Sequence, residues 1–130
     1  MQLDGITVVD LSRLLPGPYG TQLLADMGAE IIKIEPPEQG DYAREMGPMV
    51  DGTGSVFASI NKGKKSVTLD LKSGAGAGAF QRLVADADVV VENYADGAPE
   101  RLGVDAGTCR ETNPELVYCS IKGFGEGPYQ

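Results

Sequence analysis

The stretch ITVVDLSRLLPGPYGTQLLADMGAEIIKIE, residues 6–35, decides the fold class of this chain. Its first six residues are β-rich and mostly apolar, as a buried parallel strand should be. Residues 12–18 form a loop, and Pro18 suits the first turn of a helix. Leu23, Leu24 and Met27 share one helical face, and Gly28 is a natural stop. Residues 30–35 (EIIKIE) read as a second strand, halted by Pro36 and Pro37. Strand, helix and strand with short connections make a βαβ unit.

The same alternation continues outward. Residues 39–54 are rich in Gly, Asp and Pro and read as a long irregular loop, a kind of segment that is often functional. A short helix is expected over 55–61, a strand over 65–71 and a helix over 79–87 with Phe80, Leu83 and Val84 inward. Residues 88–93 (DVVVEN) are a buried strand; 98–102 and 106–112 suit short helices, and 116–121 (LVYCSI) a fifth strand. The fold class is therefore α/β, with a largely parallel sheet. The sequence stops in a turn-rich segment at residues 123–130, which reads as truncation of a longer chain.

Composition narrows the function. With 130 residues the chain makes one compact domain, and 42% hydrophobic residues suit a globular core. There are 19 acidic and 11 basic residues, a net charge of −8 that argues against general nucleic-acid binding. Such acidity also suits a salt-rich cytoplasm. No signal peptide or membrane-length apolar run is present, and Cys109 and Cys119 lack metal or redox spacing, so a cytoplasmic protein is expected. There is no histidine. That excludes Ser-His-Asp and Cys-His catalysis within these residues and removes the commonest zinc ligand; no metal is expected.

Against that acidity, INKGKKSVTLDLKS (residues 60–73) holds four of the 11 basic residues, Lys62, Lys64, Lys65 and Lys72. Spacing alone leaves two readings open: a solvated loop, or an anion site at strand ends, where open α/β sheets bind ligands. Arg13 and Arg101 follow strands in the same way, with surface salt bridges as the plain alternative. Asp10, at the end of the first strand, reads as a structural hydrogen-bonding residue. The run Gly74-Ala75-Gly76-Ala77-Gly78-Ala79 nominally fits the dinucleotide fingerprint, which makes NAD(P) binding a second possibility. Lys72-Ser73 separates the run from its strand, which favours a small-residue helix start. The G-x-x-x-x-G-K-[ST] spacing of a phosphate loop does not occur, because Ala58 stands where its first glycine should be.

These motifs fit together as a family. LDGITVVDLSRLLPGPYGTQLLADMGAEIIKIEPPEQGDYAR (3–44) resembles the opening of the class III (CaiB/BaiF-type) coenzyme A transferases, which include the α-methylacyl-CoA racemases. NKGKKSVTLDLKS (61–73), ADVVVENYADGAPERLGV (87–104) and NPELVYCSIKGFGEGPY (113–129) are similar to later blocks of the family, in the right order. The resemblance implies that residues 1–130 are the N-terminal part of a Rossmann-like, coenzyme-A-binding large domain with helices on both faces of its sheet. It also implies an interlocked homodimer that either moves coenzyme A from an acyl-CoA to a free carboxylic acid, a short dicarboxylic acid being one candidate, or, as the alternative within the family, racemises an α-methylacyl-CoA.

Coenzyme contacts carried over by motif are Arg13, Leu14, Leu69, Lys72, Asn93, Tyr94, Ala98 and Arg101. In this reading Arg101 grips phosphate, Lys72 acts as a point charge, Asn93 fixes the adenine edge and Tyr94 packs against a ring. Lys62, Lys64 and Lys65 form a basic rim. Some relatives have a glutamine where Leu15 stands and an arginine at Pro36, which moves the substrate away from the formyl/oxalyl type. The family nucleophile is an aspartate beyond residue 130, so no catalytic residue is assigned and the 130 residues alone are expected to be inactive.

Overall fold

A computed structural model describes residues 1–125; the expected turn at 123–130 lies mostly outside the described residues. Five parallel strands carry the fold: β1 (Thr7–Asp10), β2 (Glu30–Glu35), β5 (Lys65–Thr68), β6 (Val89–Glu92) and β7 (Val117–Ser120). They run in the order β5-β2-β1-β6-β7. This is the Rossmann-like arrangement, in which the chain winds outward in both directions from β1. The place where the winding reverses is the β1–β6 boundary, and loops leaving those two strands open a crevice there.

Alternation along each strand sorts side chains onto two faces. Val9, Ile34 and Val90 meet Phe80 and Val84 of α3 (Gly74–Ala85) and Cys109 of α5 (Ala106–Thr112). Ala98 and Leu102 of α4 (Ala98–Leu102) pack at the margin of this cluster. Each large apolar side chain buried here contributes about 1.5–3 kcal/mol. On the other face, Val8, Ile31 and Val91 pack with Leu24 and Ala25 of α1 (Pro16–Asp26). Helices therefore cover both faces, as the family resemblance implied.

The second face changes character along its length. Toward the carboxyl ends of the strands it carries Asp10, Lys33 and Glu35, all buried. The start of α1 meets that polar end, and the helix departs from the expected apolar face. Leu23 and Met27 are exposed, while the helix buries Gly17, Pro18, Thr21 and Gln22. Thr21 Oγ1 donates to Asp10, and a Cβ on Gly17 would stand 2.1 Å from Ser12 Cβ, so the helix meets the sheet through small and polar residues. Leu24 alone of the three expected residues packs inward.

Two boundaries also moved. β5 ends at Thr68, and residues 69–73 turn over the sheet into α3, which starts at Gly74 instead of residue 79. Ser73 caps that helix by accepting the Gly76 N–H. A Cβ on Gly76 would lie 1.9 Å from the Asp70 carbonyl oxygen, so this glycine allows the helix to start close over the turn. The glycine run thus begins a capped helix after an edge strand, away from the β1–β6 crevice. The segment expected to be irregular holds a 3₁₀ turn (Tyr42–Glu45), a small hairpin of β3 (Met49–Val50) and β4 (Thr53–Gly54), and then α2 (Ser55–Ile60). Arg44 ties it down, bonding Glu35 through Nε and Nη2 and stacking 3.8 Å from the Phe57 ring centroid.

Candidate functional site

A cleft of two adjoining cavities lies over the carboxyl ends of β1, β2, β5 and β6. The first, about 390 Å³, is walled by Ile34, Pro36, Pro37, Gln39 and Tyr42 on one side and by Leu69–Lys72 on another, with Arg13, Tyr94 and Leu102 completing it. The second, about 410 Å³, is lined by Leu71, Lys72, Ala98, Arg101 and Leu102. Leu71, Lys72 and Leu102 border both, so one continuous groove runs from the loop after β1 to α4.

Six of the eight residues expected to contact a coenzyme line this groove: Arg13, Leu69, Lys72, Tyr94, Ala98 and Arg101. Leu14 and Asn93 do not. Leu14 is exposed and left-handed at φ 66°, and its N–H donates to Asp41 Oδ1 at 3.0 Å. Asn93 spends its amide on its neighbour across the crevice: Oδ1 accepts the Arg13 N–H and Nδ2 donates to the Arg13 carbonyl, each at 2.8 Å. Pro36 gives the first cavity an apolar wall, and Leu15 is exposed outside it.

Cations outnumber carboxylates in the groove, with Arg13, Lys72 and Arg101 against Asp70. Arg13 carries its guanidinium carbon 4.8 Å from the Tyr94 ring centroid and 5.5 Å from that of Tyr42. Stacking covers the faces of the guanidinium and leaves its donors in plane. Among the described residues, none of Arg13, Lys72 and Arg101 has a carboxylate within ion-pair distance. Asp70 also borders the groove, where its Oδ1 accepts the Lys72 N–H. Burial pushes the Tyr94 phenol up, and the Arg13 charge works against that rise. The Tyr94 N–H is held by Glu92 Oε2 at 2.7 Å, which sets where its ring stands.

The expected basic rim divides. Lys64 is no part of a rim: its side chain is 2% exposed, and Nζ reaches Asp10 Oδ2, Thr21 Oγ1, Pro18 O and Asn61 Oδ1 at 2.7–3.2 Å. Burial lowers its pKa, with Asp10 opposing. Lys65 pairs with Glu30 where β5 and β2 begin, at the opposite end of the sheet from the groove. Lys62 stands 4.0 Å from Asp26 on the surface. Asp10 is structural, as expected, accepting from Ser12, Thr21 and Lys64.

Sequence reasoning missed Lys33, Asp41 and Tyr42. Lys33 and Asp41 are each 1% exposed and pair at 2.8 Å. The signal was present in EIIKIE: a lysine between isoleucines, on a strand covered on both faces, has to be paired.

Residues 3–130 match CoA-transferase family III. The chain is 45% identical to a succinate–glutarate CoA-transferase of Agrobacterium fabrum, over 98% of this chain and 34% of that protein. It is 48% identical to a succinyl-CoA:mesaconate CoA-transferase of Haloarcula hispanica, over 95% of this chain and 32% of the relative. The crystal structure of a CAIB/BAIF family protein from Brucella suis superposes with a TM-score of 0.90 at 45% identity, covering 97% of this chain and 35% of that one. A short chain dehydrogenase/reductase family protein superposes at TM-score 0.51 with 16% identity, a likeness of fold alone. The chain spans about a third of the length of the curated relatives it matches.

Proposed function

The chain belongs to CoA-transferase family III, and from that premise we propose that it supplies the coenzyme site of an enzyme moving coenzyme A from an acyl-CoA to a free carboxylic acid. One observation carries this reading. In a chain of net charge −8, three cations without acidic partners among the described residues line one groove at the carboxyl ends of the strands. Coenzyme A carries a pyrophosphate and a 3′-phosphate, and such a ligand needs a local positive site on an acidic surface. Arg101 offers a planar fork for phosphate, Lys72 a point charge and Tyr94 an aromatic wall.

The names of the two relatives, which concern succinate, glutarate and mesaconate, favour a short dicarboxylic acid as acceptor. In the family mechanism an aspartate carboxylate attacks the thioester carbon and expels the coenzyme thiolate, leaving a mixed anhydride. The thiolate then attacks the aspartyl carbonyl, releasing the first acid and leaving an aspartyl-CoA thioester. The acceptor carboxylate attacks that thioester, giving a second anhydride and freeing the thiolate again. Finally the thiolate attacks the acceptor's acyl carbon, which forms the new thioester and regenerates the aspartate. Dividing one transfer into such steps is covalent catalysis. In this proposal the aspartate lies beyond residue 130, the working enzyme is an interlocked homodimer, and its compartment is the cytoplasm. No helix among the described residues is long and apolar enough to cross a membrane.

Titration calorimetry of the 130-residue chain with coenzyme A and with NAD tests the proposal. Weak coenzyme A binding with none for NAD, and no transfer by this chain alone, is expected. NAD binding without coenzyme A binding would overturn it.

A further inference from the structure

Three side chains hold the three consecutive residues that bring Arg13 to the groove. Lys33 Nζ donates to the Ser12 carbonyl at 2.8 Å. Asn93 closes a two-point contact on the Arg13 backbone, at its N–H and its carbonyl. Asp41 Oδ1 accepts the Leu14 N–H and also the Ala43 N–H, both at 3.0 Å. Leu14 is left-handed, which a leucine adopts only where its surroundings enforce it. The same segment that grips the Arg13 backbone also presents the Tyr94 ring against the Arg13 guanidinium.

We propose that Asn93 is a positioning residue that serves the ligand through Arg13. It fixes the peptide groups on both sides of the Arg13 Cα, so the guanidinium stands against Tyr42 and Tyr94 before any ligand arrives. One Asn93 donor and one acceptor site are committed to the Arg13 backbone, which fixes the plane and direction of the amide. Arg13 lines the first cavity of the groove, whereas Asn93 borders a separate cavity of about 460 Å³ on the other side of Tyr94. The inference rests on the coenzyme reading given above for its ligand, and on the hydrogen bonds alone for the positioning.

Two measurements on the 130-residue chain test it. The Arg13 Hδ and Hε protons stand close to two tyrosine rings, so in NMR spectra they are expected upfield of the other arginines. In Asn93→Ala they move to the ordinary range while the amide dispersion of the fold is kept; unmoved Arg13 signals overturn the proposal. Should Asn93→Ala fail to fold, Asn93→Asp retains an acceptor for the Arg13 N–H and removes the donor to its carbonyl. A partial shift is then expected, and no shift overturns the proposal.

Coenzyme A titrations close a double-mutant cycle. Asn93→Ala weakens binding about tenfold when Arg13 is present and less than about twofold in an Arg13→Ala background, the non-additivity of residues acting as a unit. Equal losses in both backgrounds mean direct contact and overturn the proposal. If the unaltered chain binds no coenzyme A, the coenzyme reading fails instead, and the Arg13 signals still decide the positioning claim.

Discussion

Two groups of cations in this acidic chain are treated in opposite ways. On the α1 face, Lys33 and Lys64 are sunk among carboxylates and carbonyls, with Lys33 paired to Asp41 and Lys64 to Asp10. In the groove, Arg13, Lys72 and Arg101 have no acidic partner among the described residues. A buried charge must be matched inside the protein, because desolvation costs more than any single contact returns. A charge left open in a cleft retains its capacity for an incoming anion. Location relative to the sheet therefore separates cations paired inside the fold from cations left without an acidic partner in the groove.

The largest effect is expected at Lys33. Lys33→Met leaves Asp41 charged and buried without its partner, and a loss of about 3–5 kcal/mol in urea unfolding is expected. Adding Asp41→Asn should recover much of that loss, since the orphaned charge is then gone.

Acid tests the same region with a second group. Burial raises the pKa of Glu35, but Arg44, the Asp41 N–H and Ser66 together outweigh it and lower the carboxyl to about 2. A folded value below the ordinary 4.5 means that its contribution is complete above that pH and lost as pH falls toward 2. Unfolding curves between pH 5 and 2 should show this loss in the parent chain and a flatter profile in Glu35→Gln.

The groove responds in a different measurement. Lys72→Ala and Arg101→Ala should each weaken coenzyme A binding about tenfold while stability stays within about 0.5 kcal/mol. Added salt should shrink both effects in calorimetry. The smallest expected effect sharpens the contrast: Lys62→Ala, at an exposed pair 4.0 Å long, leaves both stability and binding unchanged.

Much of this was legible in the sequence, for physical reasons that also mark where reading stopped. β-branched runs such as TVVD and VVVE and the regular strand–helix order fixed the sheet, because covered parallel strands need continuous apolar sequence. The lysines of residues 60–73 were misgrouped, since sequence proximity does not say which side chain turns inward; Lys64 crosses to Thr21 and Asp10, 43 and 54 positions away. Periodicity groups Leu23 and Met27 with Leu24, whereas the positions α1 turns to the sheet are Gly17, Pro18, Thr21 and Gln22, with Leu24 packed beyond them. The motif assigns Asn93 to the coenzyme as a direct contact, whereas its two bonds to Arg13 span 80 positions and have no local trace in the sequence.

The strand order has a consequence for how the groove comes into being. Its walls are drawn from residues 13, 34–42, 69–72, 94 and 98–102, and every neighbouring pair of strands in the sheet is parallel. Each parallel pairing needs a crossover, so these walls meet only after several long loops have closed. A partly assembled chain, with β5 or β6 undocked, has no groove at all. A ligand that recognises it therefore binds the finished topology alone and draws the population toward it, by about 2.7 kcal/mol at a hundredfold excess over Kd. For this chain, occupancy of the groove would act as a selection for completed folding.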